Sequence, residues 1–175
     1  MSLKRGIVRL EEYNPNWELE YAKEAELLKK VLGKNIIEIE HIGSTSIKGL
    51  MAKPIIDIII VLKDFNNIEE IERLLKDYGY QNHGQHGVED RYFFTKGSEE
   101  ARTHYLHFTT PNSNTYYDQV YFKRFLLEHD DYLKEYCALK QKLASIYPEE
   151  RSKYTEGKKE LISKIIKLAK KEYDK

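Results

Sequence analysis

The residues with the most chemical potential lie on a loop of Gly, Ser, Thr and Lys that separates two apolar runs. Gly43, Ser44, Thr45 and Ser46 bring backbone N–H groups and three hydroxyls together at one chain reversal, which is typical of a nest for phosphate oxygens. Gly43 permits close approach of the backbone to a ligand, and Lys53 adds a positive charge. The loop therefore predicts a phosphate-binding turn.

Asp57 is the only charged residue in the second apolar run, Ile55 to Leu62. A run that is otherwise apolar throughout is typical of a central strand buried on both faces. A lone carboxylate there costs several kcal/mol unless it is paired, bound to a metal or placed at an open strand end. We therefore expect a compensating group beside Asp57.

Histidines provide a second set of candidates. His104 and His107 lie three apart on a predicted strand, so they should point to opposite faces of the sheet. A neutral imidazole can ligate a divalent metal or act as a general base near pH 7. His41, directly before the loop, suits hydrogen bonding or capping as well as it suits catalysis.

Basic residues are the third set. Once the chain folds, several of them could collect around phosphate groups, namely Lys53, Arg91, Lys123, Lys140 and Lys158. Taken singly, each is better explained as a surface charge or an ion-pair partner, because most Lys and Arg side chains are solvated.

The elements that must position these residues have clear local signals. The first apolar run alternates, which predicts a strand with Ile37, Ile39 and His41 on one face. In chain order the sequence predicts an extended segment at 7–11, a helix from Asn14 to about Leu32, strands at 36–42 and 55–62, a helix from Asn66 or Asn67 through Tyr78, a hairpin at 80–95, a strand at 103–109, and helices from Ser113 onward with breaks near His129 to Asp131 and at Pro148. This order predicts a single α+β (or α/β) domain over residues 1–175, with a mixed sheet, helices packed on one side and a C-terminal helical segment.

Composition limits the class of protein. A chain of 175 residues can bury a substantial core, and its 29 basic and 29 acidic residues give no global electrostatic reason for a nucleic-acid partner. The single cysteine fits a reducing compartment. No apolar run approaches ~20 residues and no signal-peptide pattern opens the chain, so we expect a cytoplasmic protein with no membrane partner. The oligomeric state is not predicted.

A longer string around the loop resembles the signature of the GrpB family. It comprises His41 to Leu50 (HIGSTSIKGL) and Ala52 to Ile58 (AKPIIDI). The resemblance covers nearly the whole chain, since it extends to Tyr13–Trp17 (YNPNW), Thr103–His107 (THYLH) and Tyr154–Lys158 (YTEGK). It implies a nucleotidyltransferase-like fold of the polymerase-beta type. From its local pattern alone, the last segment predicts only a turn or a helix cap.

In that superfamily a Gly-Ser turn holds the triphosphate, and an Asp-x-Asp pair on the next strand holds two metal ions. Ile59 stands here in place of the second Asp, and strand 103–109 has no acidic residue where the superfamily has a third. The resemblance therefore implies a rebuilt ligand set of Asp57, His41 and His107 for a divalent metal such as Mg²⁺, Mn²⁺ or Zn²⁺. A binding module that has lost catalysis is the alternative.

The leading hypothesis is that a nucleotide or another phosphorylated small molecule binds between the loop and the carboxyl end of the Asp57 strand, with metal-assisted group transfer as an extension. The alternative is a catalytically inactive binding or accessory module, and a hydrolase with a His/Asp metal site is a third possibility. The predicted roles are phosphate binding for Gly43, Ser44, Thr45, Ser46, Lys53 and Arg91, metal binding for Asp57, His41 and His107, and catalysis for Asp57 and His107.

Overall fold

The computed structural model describes residues 2–174, and within them five strands and five α-helices follow the predicted order. The strands are β1 (Ile36–Ile42), β2 (Ile56–Leu62), β3 (Tyr80–Asn82), β4 (Tyr92–Lys96) and β5 (His104–Thr109). The helices are α1 (Asn16–Leu32), α2 (Ile68–Lys76), α3 (Asn114–Glu128), α4 (Asp130–Ile146) and α5 (Arg151–Tyr173). None of these helices combines the length and apolar composition that crossing a bilayer requires.

The strands form one mixed sheet in the order β1-β2-β5-β4-β3. Only the β2–β5 pair is parallel, and the other three pairs are antiparallel. The predicted α+β mixed sheet with a C-terminal helical segment is therefore confirmed. The register sets Asp57 beside Tyr105 and Ile59 beside His107, so these four side chains share one face of the sheet.

The largest apolar core lies on the opposite face, under α1 and α2. Trp17 and Leu28 of α1 pack with Ile58 and Ile60 of β2 and with Phe108 of β5, all of them almost fully buried. Burying a side chain of this size contributes about 1.5–3 kcal/mol. This core fixes the alternation of β2 and so directs Asp57 away from α1.

A β-bulge in β1 changes the predicted faces of its first two residues. Ile36 pairs with Leu62 but Glu38 pairs with Val61, so Ile37 is an extra residue between them. Ile37 is 58% exposed, and its predicted placement with Ile39 and His41 is wrong, because an extra residue resets the period-2 alternation. Glu38 to Ile42 keep the predicted alternation. Ile36, predicted on the face of Glu38, pairs instead with Leu62 and packs with Ile39 against the core.

The three C-terminal helices form a separate cluster. Phe125, Tyr136 and Ile165 pack there against Ile47 and Leu50, which belong to the loop between β1 and β2. This loop therefore joins the sheet to the C-terminal helices, and an open space remains between the sheet and these helices.

An N-terminal arm, residues 2–12, ties the parts together. Leu3 forms a bridge with Arg102 before β5, and Glu11 forms one with Ala52 of the loop. The N–H of Val8 donates to the carbonyl of Pro148, directly before α5, at 2.7 Å. The arm thus contacts the sheet, the loop and the helical cluster.

Candidate functional site

A cleft of about 460 Å³ lies between the sheet and the C-terminal helices. Asp57, Tyr105 and His107 line it from the sheet, and Gly43 to Thr45 line it from the loop. The side chains that line it from the helices include Asp118, Tyr136, Lys140, Arg151, Tyr154 and Lys158. The loop and the Asp57 strand meet in one cavity, as the sequence predicts.

The cleft lies at the amino end of β2, where Asp57 is the second residue. The prediction that it lies at the carboxyl end is wrong. β1 and β2 are antiparallel, and Ile42 at the end of β1 pairs with Asp57. The loop that follows β1 must therefore lie beside the start of β2.

Asp57, His107 and Arg91 form a chain of polar contacts across the floor of the cleft. Nε2 of His107 lies 3.3 Å from Oδ1 of Asp57, and Nη1 of Arg91 lies 3.3 Å from Nδ1 of His107. A guanidinium can only donate, so Nδ1 accepts and the proton of a neutral His107 is on Nε2, directed at the carboxylate. The group predicted to compensate Asp57 is therefore the imidazole, with Arg91 behind it.

The loop approaches Asp57 so closely that only glycine fits at position 43. Gly43 has φ +68° and ψ −174°, a conformation that is essentially limited to glycine. A Cβ atom there would lie 2.7 Å from Oδ2 of Asp57. The close approach predicted for Gly43 is thus made to the carboxylate.

Two of the three predicted phosphate-binding hydroxyls hold the loop itself. Oγ1 of Thr45 donates to the carbonyl of Ile55 at 3.3 Å and lies 2.9 Å from Nε2 of His41, while Oγ of Ser46 donates to the carbonyl of Gly43 at 2.7 Å. Ser46 does not line the cleft. The hydroxyl of Ser44 lines the cleft, where it is hydrogen-bonded to the side chain of Tyr136.

The structure does not assemble the predicted metal-binding set. His41 pairs with Ile58 in the β1–β2 ladder and so lies on the α1 face, where its ring stacks on Tyr21 at 4.8 Å between centroids. Asp57 and His107 lie on the other face. Residues 2–174 contain no group of three or more His, Cys, Asp and Glu side chains placed to hold a metal ion.

His41 instead supports the loop as a neutral ring. Burial, and then the charge of Lys123, lower the pKa of His41 to about 4, against a smaller opposing effect of Asp57. The imidazole therefore donates Nε2–H to Thr45, whose own proton goes to the backbone. The ring is a structural contact between the sheet and the loop.

Positive charge dominates the cleft. Five cationic side chains line it against the two carboxylates of Asp57 and Asp118, and the cations are Lys53, Arg91, Lys140, Arg151 and Lys158. Asp118 is already paired with Lys170, at 2.5 Å from Oδ1 to Nζ. Of the five basic residues predicted to collect around phosphates, four line the cleft: Lys53, Arg91, Lys140 and Lys158. Lys123 is absent from the lining because its Nζ donates to the carbonyl of His41 at 2.8 Å.

Burial of the cations shifts their titration. Desolvation, reinforced by neighbouring cations, lowers the pKa of Lys53 to about 7 and that of Lys158 to about 8. Burial likewise lowers the pKa of Lys140 well below the ordinary value of a lysine. The Asp57 carboxylate opposes the shift in all three lysines without cancelling it.

Two buried donors in the cleft wall have no hydrogen-bond partner within the described part of the chain. They are the hydroxyl of Tyr154, whose side chain is fully buried, and Nε of Arg91. A buried polar group without a partner costs about 1–3 kcal/mol. Both donors line the cleft, where an acceptor on a ligand would satisfy them.

Sequence reasoning missed Arg151 and the role of Tyr154. The segment Tyr154–Lys158 lies inside α5, so the predicted turn or cap is wrong. The signal was its helical spacing: Arg151, Tyr154 and Lys158 are three and four residues apart and share one helix face. Nζ of Lys158 lies 4.4 Å from the centre of the Tyr154 ring.

Comparison with known proteins places the chain in a family. The sequence model of the GrpB protein family matches residues 7–168. The solved structure of the conserved protein GrpB from Enterococcus faecalis is similar, with a TM-score of 0.89 and 33% identity, over 95% of this chain and 100% of that one. The chain therefore belongs to the GrpB family.

Curated relatives agree with this assignment. The UPF0157 protein YqkA of Bacillus subtilis is 36% identical over 158 residues, which cover 90% of this chain and 46% of YqkA. The chain thus spans about half the length of that relative. The glutamate-rich protein GrpB of Alkalihalophilus pseudofirmus is 30% identical over 170 residues, covering 95% of this chain and 98% of that protein.

Proposed function

We propose that this GrpB-family chain binds a nucleotide or another phosphorylated small molecule in the cleft. The observation that carries the proposal is the excess of basic side chains over carboxylates in one cleft. A phosphate group supplies both the negative charge and the acceptor oxygens that this lining lacks. The unpartnered donors of Tyr154 and Arg91 point to the same kind of ligand.

Each predicted ligand-binding residue has a place in this proposal. Ser44 offers the loop hydroxyl that lines the cleft, and Lys53 and Arg91 offer charge near Asp57. Gly43, Thr45 and Ser46 act by holding the loop against the sheet. The ligand thus contacts mainly side chains of the helices and the sheet floor.

Binding is better supported than group transfer. Both nitrogens of His107 are engaged, one with Arg91 and one with Asp57, so the ring has no lone pair directed at a substrate. Ile59, where a second carboxylate would stand, is fully buried in the sheet. These contacts favour the binding module among the functions considered for this chain, with Asp57 and His107 as organisers of the floor.

The test is a thermal-shift and calorimetric screen of nucleoside mono-, di- and triphosphates, sugar phosphates and inorganic phosphate. A ligand at ~100 times its dissociation constant should add ~2.7 kcal/mol of stability. Lys158→Ala should weaken binding, and Lys134→Ala, which removes an exposed lysine of α4, should not. If no phosphorylated compound stabilises the folded wild type at millimolar concentration, the proposal fails.

A further inference from the structure

The oxygen and nitrogen atoms that a divalent metal would need in this cleft are already committed. Oδ1 of Asp57 lies against His107, and the Oδ2 side lies against the backbone of Gly43. Position 59 is a buried isoleucine. Asp118, the other carboxylate of the lining, is paired with Lys170. Mg²⁺ needs several oxygen ligands in near-octahedral geometry, and one partly engaged carboxylate does not fit that requirement.

Cations of the protein occupy the space around Asp57 instead. The lysine cluster (Lys53, Lys140 and Lys158) comes from three separate elements: the loop, α4 and α5. The Asp57 carboxylate raises the pKa of all three side chains against the effect of burial, so the three ammonium groups lie within its field. In their protonated forms, side chains arranged in this way can supply the charge neutralisation that metal ions supply in other phosphate sites.

The cluster is held in place by the fold. Nζ of Lys140 donates to the carbonyl of Met51, and Lys140 is 2% exposed. Lys53 and Lys158 both lie against the ring of Tyr154, at 5.7 and 4.4 Å from its centre. Nη1 of Arg151 donates to the hydroxyl of Tyr105 at 2.9 Å. The cations are therefore fixed before any ligand arrives.

Holding these cations together costs free energy in the empty protein. Like charges repel and burial disfavours the charged forms, which is why the pKa of Lys53 falls to about 7 and that of Lys158 to about 8. A ligand with a single phosphate supplies at most two negative charges, fewer than the lysine cluster and the two arginines can pair. A di- or triphosphate matches the lining better.

The following inference rests on the proposed function. We propose that the lysine cluster takes the place of divalent cations, so that the cleft binds a di- or triphosphate group as a metal-free anion. The probes are inorganic pyrophosphate, inorganic triphosphate and ATP, titrated calorimetrically into the protein in EDTA and, separately, in Mg²⁺. The inorganic probes and ATP distinguish recognition of the polyphosphate alone from recognition that also needs an organic group.

The expected result is an affinity in EDTA that equals or exceeds that in Mg²⁺. Lys53→Ala and Lys158→Ala should each weaken binding roughly tenfold or more, as for a lost charged hydrogen bond. Asp57→Asn keeps an acceptor for His107 and should bind equally or more tightly, because it removes a negative charge that faces the anion. Lys134→Ala is the control, and circular dichroism confirms that each variant folds.

Two other outcomes distinguish failure of this inference from failure of the proposed function. Binding that requires Mg²⁺ and disappears in Asp57→Asn would overturn this inference and leave the proposed function standing. Absence of binding by the folded wild type in both EDTA and Mg²⁺, for these probes and for the wider phosphate screen, would overturn both.

Discussion

A methyl group at position 43 would lie 2.7 Å from Oδ2 of Asp57, well inside van der Waals contact. This contact joins the loop to the strand at the centre of the cleft. Gly43→Ala should therefore destabilise the protein by on the order of 2–4 kcal/mol, from backbone strain plus the clash. Denaturant unfolding measures the change.

The chain offers a matched control for this substitution. Gly49 also has a positive φ, +85°, but a Cβ atom there would meet nothing within 4 Å. Gly49→Ala should cost only the strain, about 1–2 kcal/mol. In a double-mutant cycle, Asp57→Ala should recover part of the loss caused by Gly43→Ala, and strict additivity would disprove the proposed clash.

The unpartnered hydroxyl of Tyr154 predicts opposite effects on stability and binding. Tyr154→Phe should leave the free energy of unfolding of the empty protein unchanged or raise it by about 1–2 kcal/mol, because it removes a buried polar group that has no partner. The same change should weaken phosphate-ligand affinity by roughly tenfold.

Tyr80→Phe is the comparison. Its hydroxyl donates to Oε1 of Glu24 at 2.8 Å, so its loss should destabilise the protein by about 1–3 kcal/mol and leave ligand affinity unaltered. Chemical denaturation and calorimetry on both variants measure the two quantities. A clear loss of stability in Tyr154→Phe would show that its hydroxyl has a partner in solution.

Acid should destabilise the protein partly through His41. The pKa of His41 is lowered to about 4 in the folded chain, against about 6.5 when unfolded. Between these values the unfolded chain binds more protons, so stability falls as the pH drops from ~6.5 to ~4, by on the order of 1–3 kcal/mol. His41→Gln, which can still donate to Thr45, should show a smaller fall, and the exposed His86→Gln should match the wild type.

Stability should rise with pH on the alkaline side. The pKa of Lys53 is about 7 and that of Lys158 about 8 in the folded chain, while unfolded lysine titrates near 10.4. The unfolded chain therefore binds more protons from pH 7 upward, and the free energy of unfolding increases with pH in this window. Lys53→Met and Lys158→Met should flatten the rise measured by urea unfolding from about pH 7 to about pH 9.5, below the range where tyrosines titrate. An unchanged slope in both variants would contradict the buried placement of these lysines.

The fold was largely predictable because its signals are local. The unbroken apolar run of β2 predicts a strand buried on both faces, and all of β2 except Asp57 is buried. Asn14 bonds the N–H of Asn16 at the start of α1, and Gly33 follows its end, as their residue types indicate. The bulge at Ile37 has no such signal, because Ile, Ile, Glu fits both an alternating strand and a bulged one.

The site was predictable in detail only where its parts are close in sequence, and Arg91, Lys140 and Lys158 were predicted only as basic residues able to collect around phosphates. Gly43, Ser44 and Asp57 belong to one loop and its following strand. Arg151 and Tyr154 reach the cleft because α5 packs over it, and this packing depends on contacts with distant residues. His41 was predicted to join Asp57 in a metal site because it directly precedes the loop. The pairing of β1 with β2 places it on the face of the sheet opposite Asp57.

The hydrogen bond from Val8 to Pro148 has a consequence for how the chain is made on the ribosome. The arm is synthesised before every strand, yet its partner beside α5 is synthesised after all of them. Until α5 emerges, Val8 lacks the cover of Tyr154, and the loop residues Ile47 and Leu50 lack that of Leu161 and Ile165, so part of their apolar surface stays exposed in the nascent chain. The cleft is consequently the last part of the protein to be completed, and a chain that ends before α5 lacks Arg151, Tyr154 and Lys158 of its lining.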